Sequence, residues 1–111
     1  MAKNTGFPGM GGNMQQLMKQ AQRMQQDVQR LQEEIGEREF TASAGGGMVT
    51  AVVLGKKELK SVSIDPECMD EDDVAMVEDM IVAAVNAALR AADDTMTAEV
   101  GKVTGGMGLG F

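Results

Sequence analysis

Six apolar residues, Leu17, Ala21, Met24, Val28, Leu31 and Ile35, follow one another at steps of four, three, four, three and four, and this spacing restricts the fold more than any other feature of the chain. On an α-helix such a row makes a narrow seam, the pattern of a helix that pairs with one other helix rather than lying on a broad core. The intervening Gln, Met, Lys and Arg are good helix formers. Asn13 is suited to cap the start and Gly36 to stop the helix, which predicts a helix over residues 13–35. Beyond Gly36 the period falls to two. Phe40, Ala42 and Ala44 alternate with Thr41 and Ser43, and Val49, Ala51 and Val53 alternate with Thr50 and Val52, as in half-buried strands. Gly45-Gly46-Gly47 separates the first strand from the second, and Gly55-Lys56-Lys57-Glu58 turns the second into a third that ends at Val62-Ser63-Ile64. Connections this short make an antiparallel meander, because a parallel crossover needs a dozen or more residues.

Asp65-Pro66 ends the third strand. Asp70 is placed to cap a second helix whose first turn carries Glu71, Asp72 and Asp73, where the helix dipole favours negative charge. Val74, Val77, Ile81, Val85, Ala88 and Ala92 form its stripe, backed by Ala84 and Leu89, and the helix is expected to fade between Met96 and Lys102. The predicted architecture is α+β: helix, three-stranded antiparallel meander, helix. Glycines and prolines in residues 1–12 and glycines in residues 104–111 predict a flexible N-terminal arm and a flexible tail around a domain over 13–103.

At 111 residues the chain holds one domain with a core that a partner subunit would usefully extend. Three Phe, no Tyr and no Trp leave the packing to eleven Met and many Ala. The single Cys68 cannot form an intrachain disulfide, and no secretory leader is recognisable, so a reducing cytosol is expected. No run approaches the length and apolarity of a membrane span. The net charge is −7, which opposes a nucleic-acid ligand, but the charge is unevenly placed. Residues 1–36 sum to +1, residues 37–66 to zero and residues 67–111 to −8.

With no His, no Tyr and no nucleophile–base pair at a recognisable spacing, catalysis is not expected, and no cofactor is implied. Cys68 reads as a packed thiol and residues 70–73 as a dipole-matched helix start rather than a metal site, since the Gly-punctuated spacing of a calcium loop is missing. Gly45-Gly46-Gly47 precedes a strand, not a helix, and carries no Lys-Ser/Thr pair, so it is a turn and not a phosphate loop. Lys19, Arg23 and Arg30 fall within roughly 40° of one another at about 100° per residue, on the side of the first helix opposite the seam. Eight Gln between Gln15 and Gln32 surround them. The row is either a phosphate-contacting stripe or a solvated helix exterior. Lys56, Lys57 and Lys60 either extend that surface or keep a sheet edge soluble.

Gly45-Gly46-Gly47-Met48-Val49, Val62-Ser63-Ile64-Asp65-Pro66, Glu71-Asp72-Asp73 leading to Met76, Glu78-Asp79, and Ala83-Ala84-Val85-Asn86 with Ala88 together resemble the YbaB/EbfC family of bacterial nucleoid-associated proteins, as does the Gln- and Met-rich opening over 14–25. The resemblance covers Asn13 to Val103. It implies a homodimer with helices projecting like tweezers from a compact body, located in the cytoplasm at the nucleoid. It further implies binding of duplex DNA with little sequence preference, altering DNA conformation and contributing to nucleoid organisation and gene regulation. Carried over residue by residue, the DNA contacts fall on Lys19, Arg23 and Arg30, with Arg90 on the second helix. The rival expectation is an acidic dimer that docks onto a replication or recombination protein, with DNA incidental.

Overall fold

The computed structural model describes residues 8–105. Helix α1 spans Pro8–Gly36, strands β1, β2 and β3 span Glu39–Ala44, Val49–Leu54 and Leu59–Ile64, and helix α2 spans Val74–Thr104. Two single-turn 3₁₀ segments, Pro66–Cys68 and Glu71–Asp73, link β3 to α2.

The strands form one antiparallel sheet in the order β1-β2-β3, as the short turns require. Phe40 faces Val53, Ala42 faces Ala51 and Ala44 faces Val49 across β1 and β2, while Ala51 faces Val62 and Val49 faces Ile64 across β2 and β3. The alternation therefore sends one apolar set to one face of the sheet. At the start of β3 the register shifts, with Val52 opposite Ser61 and Val53 opposite Leu59, so that Lys60 is the extra residue of a bulge.

Helix α2 covers the apolar face. Val49, Ala51 and Val53 are fully buried against Ala84, Ala88 and Ala92, with Phe40, Ala42, Val62, Ile64, Ile81, Val85 and Leu89 around them. The expected stripe is corrected in one respect: Val74 stands exposed, and the alanines, not the larger residues, are the deepest positions on the helix. Alanine has no side chain to hold the helix off the sheet, so the backbone approaches closely and the two valines fill the gap. Burying each of those valines stabilises the fold by roughly 1.5–3 kcal/mol.

Both helix boundaries differ from expectation. Helix α1 starts at Pro8, not Asn13, because a proline in the first turn gives up an N–H that has no intrahelical partner anyway. Residues 8–12, expected in the arm, are thus helical, and the rest of the arm lies outside the described residues. Asp70 caps the 3₁₀ turn rather than α2 itself, its carboxylate accepting from the Asp72 N–H at 3.5 Å. Helix α2 runs on to Thr104, whose hydroxyl donates to the Val100 carbonyl at 3.1 Å, and Lys102 pairs with Glu99 at 2.8 Å. The remainder of the tail, residues 106–111, lies outside the described residues.

The end of α1 is seated on the β2–β3 turn. The Gly55 N–H donates to the Arg38 carbonyl at 2.9 Å and the Lys56 N–H to the Gly36 carbonyl at 3.1 Å. A Cβ at Gly55 would run into the carbonyl of Ile35, so only glycine allows this approach. Lys57, in the same turn, pairs with Asp93 of α2 at 2.7 Å. Both helices leave the sheet from this point, α1 in reverse, and pack against each other as an antiparallel pair. Partly buried residues recur on both, at Met24, Val28 and Leu31 of α1 and at Met96, Val100 and Val103 of α2. The heptad seam is thus closed within the chain over residues 24–35. Residues 13–23 of α1 pass beyond the end of α2 and are all exposed. The radius of gyration is 23.1 Å, against about 13 Å for a compact domain of this length.

Replacing Gly55 by Ala is expected to force α1 from its seat and to destabilise the protein by about 1–3 kcal/mol. Urea unfolding measures this, with Gly101→Ala, where a Cβ meets nothing and φ is not positive, as the control for adding a methyl group without a clash.

Candidate nucleic-acid interface

Ten bases stand in the sequence, and the fold divides those in the described residues into two populations. Most of the bases on the body, with Lys102 at the end of α2, are bound to acids. Lys56 lies 3.3 Å from Glu37 and 3.7 Å from Glu58, Lys57 lies 2.7 Å from Asp93, Lys60 pairs with Glu39, and Lys102 lies 2.8 Å from Glu99. Glu37, by hydrogen bond and charge, holds the Lys56 ammonium above its ordinary pKa, with Glu58 adding to the effect. Lys102 holds the Glu99 carboxyl below its ordinary value in the same way. These exposed pairs contribute little to stability, but each takes a positive charge off the surface field. Lys57 has φ 68°, a left-handed backbone that costs a lysine ~1–2 kcal/mol, and it bridges the turn to α2.

The other population has no acid within ion-pair distance among the described residues: Lys19, Arg23, Arg38 and Arg90. Lys19 and Arg23 are one helical turn apart, ~6 Å along α1, on the exposed segment that, among the described residues, extends past α2. Gln15, Gln16, Gln20, Gln22, Gln25 and Gln26 around them are exposed as well. Arg30 completes the row ~10 Å further on but is held by Asp27 at 2.8 Å. Arg90 is exposed on α2 where that helix covers the sheet, and the structure does not bring it to the α1 row. The length of α1 between Ile35, at the sheet, and Lys19 is ~24 Å.

Sequence reasoning passed over Arg38. It lies between Glu37 and Glu39, and only the fold shows that those acids are engaged by Lys56 and Lys60, leaving Arg38 at the foot of α1 without an ion-pair partner among the described residues, though its charge helps Lys102 to hold the Glu99 carboxyl down. The three turn lysines likewise have acidic partners 19, 36 and 21 residues away, which the sequence spacing does not reveal.

The start of α2 presents the opposite chemistry. A cleft of about 280 Å³ is lined by Met69, Asp70, Glu71, Val74, Val77 and Glu78, apolar at its floor with only acids at its rim. A phosphate would be repelled there. Cys68 is buried, with its thiol donating to the Asp65 carbonyl at 3.1 Å. Among the described residues there is no cluster of potential metal ligands, no buried polar or charged residue, and no helix long and apolar enough to cross a membrane.

The α+β body thus carries a projecting helix pair, with two unpaired bases, Lys19 and Arg23, on the exposed part of α1 and two others, Arg38 and Arg90, on the body. The model of the YbaB/EbfC DNA-binding family matches residues 10–107, and the chain belongs to that family. Nucleoid-associated proteins of Acetivibrio thermocellus and Clostridium novyi are 57% and 54% identical to it, over 97% and 94% of this chain and 95% and 93% of theirs. A crystal structure of an uncharacterized Helicobacter pylori protein superposes with a TM-score of 0.61 over 76% of this chain and 88% of that one, at 23% identity, which shows the same fold.

Burial of Cys68 predicts that a thiol reagent reacts with the native protein at least tenfold more slowly than with the protein in denaturant. The colour change of an aromatic disulfide reagent measures both rates, and equal rates would place Cys68 at the surface.

Proposed function

We propose that this protein is a non-catalytic, nucleoid-associated protein that binds duplex DNA through its phosphates, with little preference for sequence. The observation that carries the reading is the pair of bases, Lys19 and Arg23, that have no acid within ion-pair distance among the described residues and lie on the exposed segment of α1 among neutral glutamines. The charge ledger that opposes DNA at the level of composition is local: the acids concentrate at the start of α2 and in pairs on the body, while the far part of α1 carries only bases and neutral residues. Phosphate contacts position a protein on DNA without reading bases, and the exposed residues of this segment carry no aromatic side chain to stack on a base.

The protein acts in this reading as a homodimer in the cytoplasm, at the nucleoid. An elongated chain with a core of three valines or isoleucines of full burial, Ile35, Val49 and Val53, gains from a second copy. Two α1 helices then double the phosphate contacts and allow a duplex to be gripped or bent between them. Arg30 joins the row when phosphate competes with Asp27, and Arg38 and Arg90 belong to the body rather than to the first contact. Nothing specific favours capture of a replication or recombination protein over DNA.

Four phosphate contacts, Lys19 and Arg23 in each of two subunits, give a slope of about −3.6 in log affinity against log salt, or roughly a hundredfold loss between 50 and 200 mM. Titration of a generic 30-base-pair duplex at both concentrations measures this. Lys19→Ala and Arg23→Ala are each expected to flatten the slope by about two units in a dimer, and a salt-insensitive affinity in the parent protein overturns the phosphate model. Asp27→Asn, which frees Arg30, is expected to tighten binding severalfold and steepen the slope; unchanged binding would exclude Arg30 from the row.

A further inference from the structure

Two surfaces of opposite charge stand at opposite ends of the fold, and each includes an apolar face that no other described residue covers. One is the cleft of about 280 Å³ at the start of α2, formed by Met69, Val74 and Val77 with the acids Asp70, Glu71 and Glu78. Met69 and Val74 are 63% and 55% exposed, and Met76, in the first turn of α2, is 47% exposed. Residues 61–89 hold eight acids and no base, and none of the eight stands in an ion pair among the described residues.

The other surface is the part of α1 beyond α2. Met14, Leu17, Met18 and Ala21 fall at i, i+3, i+4 and i+7, on one face of the helix, and Met14, Leu17 and Met18 are 57%, 56% and 61% exposed. Residues 13–26 hold two bases and no acid. A short helical segment with no covered face is marginal by itself, so whatever covers this row also holds the segment helical. The fold keeps row and cleft apart within one chain. Helix α1 leaves the body at the β2–β3 turn, whereas α2 begins near the opposite turn, where Met80 lies against Gly45. Leu17 is ~27 Å along α1 from Ile35, and the six-residue strands add ~20 Å. The row of one chain therefore reaches a cleft only on another.

We infer that the far part of α1 docks in the α2 cleft of a second copy of this chain, with Leu17 and Met18 entering between Met69, Val74 and Val77. At about 280 Å³ the cleft has nearly twice the ~150 Å³ that encloses one benzene ring, room for the ends of two apolar side chains. Gln15, Gln20 and Gln22 flank the apolar row, about 90–110° from its centre, so their amides come to the rim and donate to its carboxylates. Lys19 and Arg23 lie about 150° or more from that centre. They attract the acidic end across about one helix diameter, ~10 Å, close to the ~10 Å Debye length at 0.1 M salt, and they stay open to solvent. Docked copies thus keep their outward bases, and the inference stands without the DNA reading. Because the contact joins two different surfaces, it is heterologous, and it propagates into a chain of copies or closes on itself.

The contact of residues 13–23 with one cleft is smaller than the ~1,200 Å² burial of a stable complex, so it is weak and depends on concentration. Sedimentation equilibrium of the full chain from about 10 μM to about 1 mM reads it, and the average mass is expected to rise about twofold or more across that range. Leu17→Glu and Val74→Glu each place an acid in the contact at an exposed site. Each alone is expected to keep its low-concentration mass throughout, with an unchanged thermal melt. An equimolar mixture of the two is expected to associate again, because the intact cleft of one meets the intact row of the other. Met18→Glu and Met69→Glu, at equally exposed sites, replace either variant whose melt falls. The variants alone supply the baseline, so a dimer formed through another face is not counted. A mass indifferent to concentration overturns the inference, as does a variant that assembles like the parent. So does a mixture that stays at the baseline while the parent assembles, which would mean that like surfaces pair with like.

Discussion

The close contact between the alanine row of α2 and the central strand is the interaction on which the rest of the molecule depends. Ala84, Ala88 and Ala92 bring the helix onto Val49, Ala51 and Val53, and the three residues mark a straight line of one helical face. Because they occupy the middle third of a 31-residue helix, α2 overshoots the six-residue strands. The overshoot toward the C-terminus is what α1 packs against. A bulkier residue at any of the three positions would lift the helix and with it the base of the projecting pair, so the smallest side chains in the core have the largest structural consequence.

The same geometry sorts the charges. Acids on the strands, the turn and α2 come within reach of the lysines of the sheet, whereas the outer part of α1 meets neither strand nor helix and its bases find no partner among the described residues. A chain with an overall excess of acid thereby presents a field of the opposite sign at one extremity, and the composition of the whole is a poor guide to the partner of that part.

Much of this was legible in the residues. The heptad steps from Leu17 to Ile35 and the change to period two at Phe40 identify the helix and the meander, because each pattern matches one backbone repeat and not the other. The glycine-bearing turns dictate antiparallel pairing. The row of Lys19, Arg23 and Arg30 also follows from helical spacing. What spacing does not carry is any contact between distant elements: that Gly55 sits under the carbonyl of Ile35, that Lys60 bulges toward Glu39, or that Arg38, between two engaged glutamates, acts on Glu99 of α2. The helix ends differ for local reasons: Pro8 starts α1 only if the glycines after it are tolerated, and at the end of α2 the Thr104 hydroxyl bonds back to the Val100 carbonyl.

The seat at Gly55 also makes α1 a lever. From Gly36 to Lys19 the helix is ~25 Å long, so a tilt of about 10° at the turn swings the lysine by ~4 Å, more than the length of a hydrogen bond. The backbone contact at Gly55 and the seam that α1 shares with α2 over residues 24–35 therefore act together to fix the angle at which the outer part of α1 leaves the body.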